Sequence, residues 1–361
     1  MARAAAFDPG AAAQPGSGVF GLPHAPEQAG VVLVPVPFEA TTSYGGGTAK
    51  GPRAILEASK QVDLFDVETG RPYEVGIAML PEPARVRRWN ADAKRHAAPV
   101  VRAGGATTLA LRRHADRVNA IGAALNGHVR AEVDRWMAKG KLVGTIGGDH
   151  SVSFGAIEAC AARHRGVGIL HFDAHADLRL AYEGFAWSHA SILRNVVDRI
   201  ADVAKVVQVG IRDLCEEEMD VISGSKGRVV AWFASDLATR RFEGESWARL
   251  AEEMVADLPN DVYVSFDIDG LDPTLCPHTG TPVPGGLSFH EATAVLAALR
   301  RSGRRIVGFD LTEVTPGPRG DEWDANVGAR LLYKLIGYAV MPLAKDAAIK
   351  TSPSLRPQPR R

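Results

Sequence analysis

The chain has 361 residues, 46% hydrophobic and 23% charged, with 42 basic and 42 acidic side chains. That length suits one large globular α/β domain or two ordinary ones. The even charge balance gives no electrostatic reason to expect nucleic acid or an anionic membrane as a partner, and no apolar run approaches the ~18 residues needed to cross a bilayer. Cys160, Cys215 and Cys276 are odd in number, widely spaced and unlike any zinc pattern, which points to a reduced, cytoplasmic protein.

The first stretch, "MARAAAFDPGAAAQPGSG", lacks a sustained apolar core and is interrupted by Asp8 and Pro9. It is expected to be a disordered tail over 1–28, not a secretion signal. "VVLVPVP" (31–37) predicts a strand, and "GPRAILEASK" (51–60) a helix with Pro52 in its first turn. Residues 81–115 carry many charges and few periodic apolar positions, so irregular structure is expected there. Residues 118–141 form a long amphipathic helical pattern that ends near Gly140.

After that, alternation tightens. "KLVGTIGG", "VGILHFD", "AKVVQVGI", "GRVVAWFA", "DVYVSFDID" and "RRIVGFDLTEV" are strand candidates. Helical patterns "SVSFGAIEACAARH", "SHASILRNVVDRI", "SWARLAEEMVADL" and "SFHEATAVLAALRRS" fall among them, and "NVGARLLYKLIGYAV" follows the last strand. Such alternation predicts an α/β fold, a single-domain three-layer α/β/α arrangement with a mainly parallel sheet. The domain is expected over 29–343. The Pro- and Arg-rich 344–361 reads as a second disordered tail.

In a parallel sheet, ligands collect beyond the carboxyl ends of the strands, and the polar clusters lie there. His150 follows "LVGTI"; Asp173, His175 and Asp177 follow "GILHF"; Asp267 and Asp269 follow "DVYV"; Glu313 follows "RRIVGF". A polar strand end explains one cluster easily, but not four on one edge. Carboxylates gathered this closely raise each other's proton affinity unless a cation neutralises them. In an extended strand, residues two apart are separated by roughly 6.6 Å and residues four apart by roughly 13 Å. Asp173 and Asp177 therefore share one ion only if the chain curls after Asp173, which small Ala174 and Ala176 permit. His150, Asp173, His175, Asp177, Asp267 and Asp269 are too many ligands for one transition metal with an open position, and suit two divalent ions. Carboxylates and imidazoles without thiolate favour manganese over zinc, with nickel or cobalt as alternatives.

"GGDHSVS", "HFDAHADLR" and "SFDIDGLDP" are similar, in order and spacing, to the three signature segments of the ureohydrolases: arginase, agmatinase, guanidinobutyrase, formimidoylglutamase and guanidine hydrolase. The resemblance covers roughly 30–340. It implies the arginase-like fold, a trimeric or hexameric homo-oligomer and a binuclear centre. One metal would be held by His150, Asp173, Asp177 and Asp267, the other by Asp173, His175, Asp267 and Asp269, with Asp173 and Asp267 bridging. In that family a hydroxide held between the metals attacks the guanidinium carbon, giving urea and an amine. Asp177 would orient the hydroxide and pass on its proton. His189 in "FAWSHAS" would exchange a proton with the leaving amine, although a histidine at a helix start is also commonly structural. Glu313 in "LTEVTP" would pair with the guanidinium, although a strand-end glutamate is as often a surface charge.

The chain departs from arginases. Arg179 stands where they carry Asn for the substrate carboxylate, and "GIRDLC" has Cys215 where they have a second aspartate. "SHAS" also differs from the H-G-T common in agmatinases. "AYEGFAWSHASILRN" and "DEWDANVGARLLYKL" resemble a longer agmatinase-like branch that includes guanidine hydrolases. Tyr182, Phe185, Trp187 and Trp323 either narrow the pocket around a small cation or pack in the core, and "SYGGGTAKGP" (43–52) either walls the pocket or does not. The expected order of substrates is agmatine or a similar amine-bearing guanidine, then free guanidine, then guanidino acids, then arginine. Two rivals remain. A catalytically silent metal-binding homologue would have lost a ligand or acid, and a single-zinc deacetylase of related fold would have replaced several ligands.

Overall fold

The computed structural model describes residues 7–42 and 44–342. Eight strands form one sheet: β1 (Val31–Val36), β2 (Ile77–Met79), β3 (Leu142–Gly147), β4 (Val167–Phe172), β5 (Val203–Ile211), β6 (Val229–Phe233), β7 (Asp261–Asp267) and β8 (Arg305–Thr312). Their spatial order is β2-β1-β3-β8-β7-β4-β5-β6, and every pairing is parallel.

Alternate residues of the apolar strands feed opposite faces, as the two-residue side-chain period requires. Val31 and Leu33 join one core, with α1 (Gly51–Ala58), α8 (Trp247–Ala256), α9 (Phe289–Arg301) and α10 (Trp323–Val340). Val32, Val34 and Val36 join the other, with α2 (Ala84–Arg102), α3 (Leu109–Met137), α4 (Phe154–Arg163) and α5 (Ile192–Arg199). The remaining helices are α6 (Glu216–Gly224) and α7 (Ala234–Phe242). The expected α/β sandwich is present, and the sheet is parallel throughout. Among the described residues no helix is long and apolar enough to cross a membrane. The three cysteines are free.

Two expectations fail. Residues 81–115 are not irregular: they contain α2 and the start of α3. The buried face of α2 is Val86, Ala93, Ala97 and Val100, a helical stripe half of which is alanine, so apolar contrast is weak beside the surrounding arginines. Its Pro99 also reads as a break, yet lies inside the helix. Thr108 caps α3 by accepting from Leu111 N at 3.2 Å, so the helix begins at Leu109, nine residues before the expected start at 118.

The second failure is the N-terminal tail. Val19, Phe20 and Leu22 are buried; the Phe20 ring lies 4.8 Å from that of Tyr333 on α10, and Phe20 N donates to Ser59 Oγ at 2.8 Å. So short an apolar segment has no period to recognise. Phe20→Ala should cost about 3–5 kcal/mol of stability, measured as a lower urea midpoint. An unchanged midpoint would show that this segment contributes nothing to the core. The expected tail at 344–361 lies outside the described residues.

Candidate active site

The four motif-bearing strands are neighbours at the sheet centre, in the order β3-β8-β7-β4. Their carboxyl ends therefore converge. Two glycines allow the loops to close up. A Cβ on Gly148 would lie 1.8 Å from Phe38 O, and one on Gly270 would lie 2.7 Å from Asp173 N. Either would push a ligand-bearing loop away from its neighbour.

The required curl after Asp173 is present. Asp177 has a positive φ of 55°, a conformation costly for a non-glycine residue and concentrated at functional sites. Ala174 and Ala176 are fully buried, and Ala174 O accepts from Arg212 N at 2.8 Å and Asp213 N at 3.0 Å. The turn is thereby tied to the end of β5.

The predicted ligands come together. His150 Nδ1 lies 3.1 Å from Asp173 Oδ2, 3.1 Å from Asp177 Oδ2 and 3.4 Å from Asp267 Oδ2. His175 Nδ1 lies 3.1 Å from Asp269 Oδ2 and 3.4 Å from Asp173 Oδ1. Ligand atoms at right angles about 2.1 Å from one ion would be about 3.0 Å apart, so His150 with Asp173 and Asp177, and His175 with Asp173 and Asp269, have that spacing, while Asp267 is close to His150 but falls in neither of these groups. Asp173 presents one oxygen to each histidine. Asp267 faces His150 through Oδ2, while its Oδ1 accepts from Asp269 N at 2.9 Å.

The charge pattern calls for cations. Burial and the neighbouring Asp173 push Asp177 up to about 7, despite His150. Burial, Asp269 and Asp173 push Asp267 well above the usual carboxylate range. Burial opposes charge on His175, yet Asp269 and Asp173 raise it to about 12. Asp173, against its burial, is held well below the usual range by His171, His150 and His175. Such a group binds protons unless metal replaces them.

Sequence reasoning missed the residues behind this cluster. His150 Nε2 lies 2.9 Å from Ser265 Oγ, and Ser265 Oγ donates to Asp310 at 3.0 and 3.1 Å. With Ser265 donating onward, His150 Nε2–H donates to it and Nδ1 keeps a free lone pair toward the carboxylates. His171 Nε2 lies 2.9 Å from Asp173 Oδ2. The signal for His171 was present, because the two-residue alternation of polar groups begins there and not at Asp173.

Glu313 is 3% exposed and has a φ of 60°. Its Oε1 accepts from His150 N at 2.9 Å, while the buried Oε2 has no partner among the described residues. A Cβ on Gly280 would lie 3.2 Å from that oxygen. Burial and Asp149 push this carboxyl well above its ordinary value. His189 Nδ1 lies 3.2 Å from Thr41 Oγ1, and the Tyr182 ring meets His189 edge-on at 6.2 Å. Burial, then His175 and His150, lower His189 to about 4.

A cavity of about 170 Å³ adjoins the cluster, lined among others by His175, Asp177, Arg179, Tyr182, His189 and Asp213. Arg179 lies over the Tyr182 ring at 5.2 Å. Of the four aromatic residues assigned to either the pocket or the core, Tyr182 lines the cavity and the other three are elsewhere. Trp187 packs on Phe154 at 5.0 Å and under Arg199 at 4.9 Å, because α3 offers it Gly122 to lie against. Trp323 opens α10, is 47% exposed and donates to Thr274 O at 2.9 Å. Phe185 is wholly in the core. Asp213 was missed as a lining residue, although "GIRDLC" had drawn notice for Cys215.

The sequence profile of the Arginase family matches residues 29–337. The chain belongs to the arginase family. It is 34% identical to the N(1)-aminopropylagmatine ureohydrolase of Thermus thermophilus over 88% of this chain and 94% of that one. It is 31% identical to the Synechocystis enzyme of the same name, over 86% and 89%. The structure of proclavaminate amidinohydrolase from Streptomyces clavuligerus superposes with a TM-score of 0.67 at 25% identity, covering 91% of this chain and 98% of that one. Arginase-family relatives of this kind are hydrolases acting on guanidino groups, and the cluster around Asp173 lies on the shared fold at the carboxyl edge of its sheet.

Proposed function

We propose that this protein hydrolyses the guanidino C–N bond of a small, amine-bearing guanidine, releasing urea and an amine. The observation that carries the reading is the pair of histidines, His150 and His175, set against the two oxygens of one carboxylate, Asp173. His150, Asp173, Asp177 and Asp267 would hold one divalent ion, and Asp173, His175, Asp267 and Asp269 a second. The donor set favours manganese, then nickel or cobalt. When bound, two such ions lower the pKa of water enough to supply hydroxide near neutral pH.

The protein's own groups then divide the work. The unpartnered Oε2 of Glu313 is a site for a guanidinium N–H, which fixes the planar carbon in place. Asp177 orients the attacking oxygen and passes its proton toward the leaving nitrogen. His189, on the cavity wall and neutral near pH 7, exchanges a proton with the departing amine. Asp213 is exposed and lines the cavity, offering a counter-ion to a cationic tail. Arg179 on the same wall supports a second reading, a guanidino acid whose carboxylate it would pair. We also place the protein in the cytoplasm as a homo-oligomer.

Urea release from agmatine, N1-aminopropylagmatine, free guanidine, 4-guanidinobutyrate and arginine decides between these readings. The amine-bearing substrates should have the highest kcat/KM, and Asp213→Asn should lower it for them selectively. Preference for 4-guanidinobutyrate would establish the second reading, and no urea from any substrate would contradict both. Glu313→Gln keeps an oxygen for His150 N but removes the charge. It should raise KM and reduce kcat/KM by roughly 10–100-fold, the equivalent of ~1.5–3 kcal/mol, with metal content unchanged.

A further inference from the structure

His171 has the position of a metal ligand and the hydrogen bonding of something else. Its ring nitrogen falls within the same potential metal-binding group as His150, Asp173 and Asp177. Its surroundings fix its protonation. Gln208, buried on β5, places its amide nitrogen 2.7 Å from Ala176 O. A carbonyl only accepts, so the group facing it is the Nε2 amide and not Oε1. The same Nε2 lies 3.0 Å from His171 Nδ1. Its second hydrogen points there, so Nδ1 is the acceptor and the ring proton resides on Nε2. That N–H is 2.9 Å from Asp173 Oδ2. A nitrogen that carries the proton and donates it has no lone pair for an ion.

The chain Ala176 O, Gln208, His171, Asp173 therefore starts and ends in the same motif loop. It ties the backbone of the curl to the carboxylate that the curl delivers. Asp173 Oδ1 is held separately, by His175 N at 2.6 Å. Each oxygen thus accepts one hydrogen bond from the protein and also lies near a histidine, His150 for Oδ2 and His175 for Oδ1.

We infer that Gln208 and His171 are positioning residues that hold Asp173 in its bridging orientation and so set how tightly the metal pair is bound. The inference rests on the binuclear reading proposed above and adds to it residues that touch neither ion nor substrate. It also separates His171 from the ligand set, although distance alone would include it.

Manganese affinity, measured by competition with a fluorescent chelator on the full chain, tests this without reference to activity. His171→Phe and Gln208→Leu should remain folded by near-UV circular dichroism and bind Mn2+ about 10–100-fold more weakly. His171→Gln, whose amide N–H reaches toward the place of Nε2, should bind within a few-fold of the parent. Were the two deletions to unfold, His171→Gln alone would decide: tight binding of two ions supports the relay, and weak binding overturns it. Parent-like affinity in His171→Phe would also overturn it. A fall to one ion per chain in both His171 variants would make His171 a ligand. A parent protein that binds fewer than two ions would instead refute the binuclear reading.

Discussion

Asp173→Asn should bring urea release down to background and lose both ions together. The two oxygens of Asp173 face different histidines, at 3.1 Å and 3.4 Å, so this side chain belongs to both halves of the cluster. Asparagine keeps one acceptor and turns the other position into an N–H₂ group. That group would point either at the Nε2–H of His171 or at His175 N–H, donor against donor. It also removes the negative charge that offsets two cations in a buried site. Lowering the pKa of water from about 15.7 to about 7 raises hydroxide at neutral pH by on the order of 10⁸-fold, so losing the ions removes most of the catalysis. Elemental analysis beside a urea assay checks this. One ion retained at full occupancy, with substantial turnover, would show that Asp173 does not bridge.

His189→Ala should act differently, lowering kcat by roughly 10²–10⁴-fold while leaving metal content and KM near the parent. His189 bonds Thr41 and meets the Tyr182 ring edge-on, on the cavity wall it shares with His175 and Asp177. Its proton affinity is lowered to about 4 by burial and then by the neighbouring His175 and His150. A base with a lowered pKa is neutral above that value and becomes charged only as the pH falls through it. The nearby positive charge of two bound cations acts in the same direction. Activity that depends on neutral His189 should therefore persist well below pH 6.5 and fall toward pH 4, and the alanine variant should lose that limb of the profile. Added imidazole should restore part of the rate. Parent-like kcat with an unchanged profile would leave His189 a structural residue.

The catalytic edge was legible because of how a parallel sheet is built. Central strands are apolar on both faces, so His150, Asp173, Asp267 and Glu313 stand out sharply where "LVGTI", "GILHF", "DVYV" and "RRIVGF" end. Their convergence then follows from strand order. What supports them was not legible. Gln208 is a single polar residue inside "VVQVGI", and its partner His171 comes from a different strand, so only the β4–β5 register brings them together, with His171 opposite Gln208. Ser265 and Asp310 likewise meet through the β7–β8 register. The choice between pocket and core for the aromatic residues was open for another reason. Trp187 and Phe185 are near the motif in sequence, yet the turn at Gly184, with φ of 96°, directs them into the α3 side of the core. Asp213 is brought to the cavity by its N–H donating to Ala174 O, a contact between separate strand ends that no local pattern announces.

Titration of the metal-free protein with Mn2+, following urea release from the best guanidino substrate, tests the central claim most directly. A binuclear hydrolase predicts activity that rises to a break at two equivalents per chain and is then constant, with Asp173→Asn silent throughout. A break at one equivalent, or full turnover in the metal-free chain, would contradict the account.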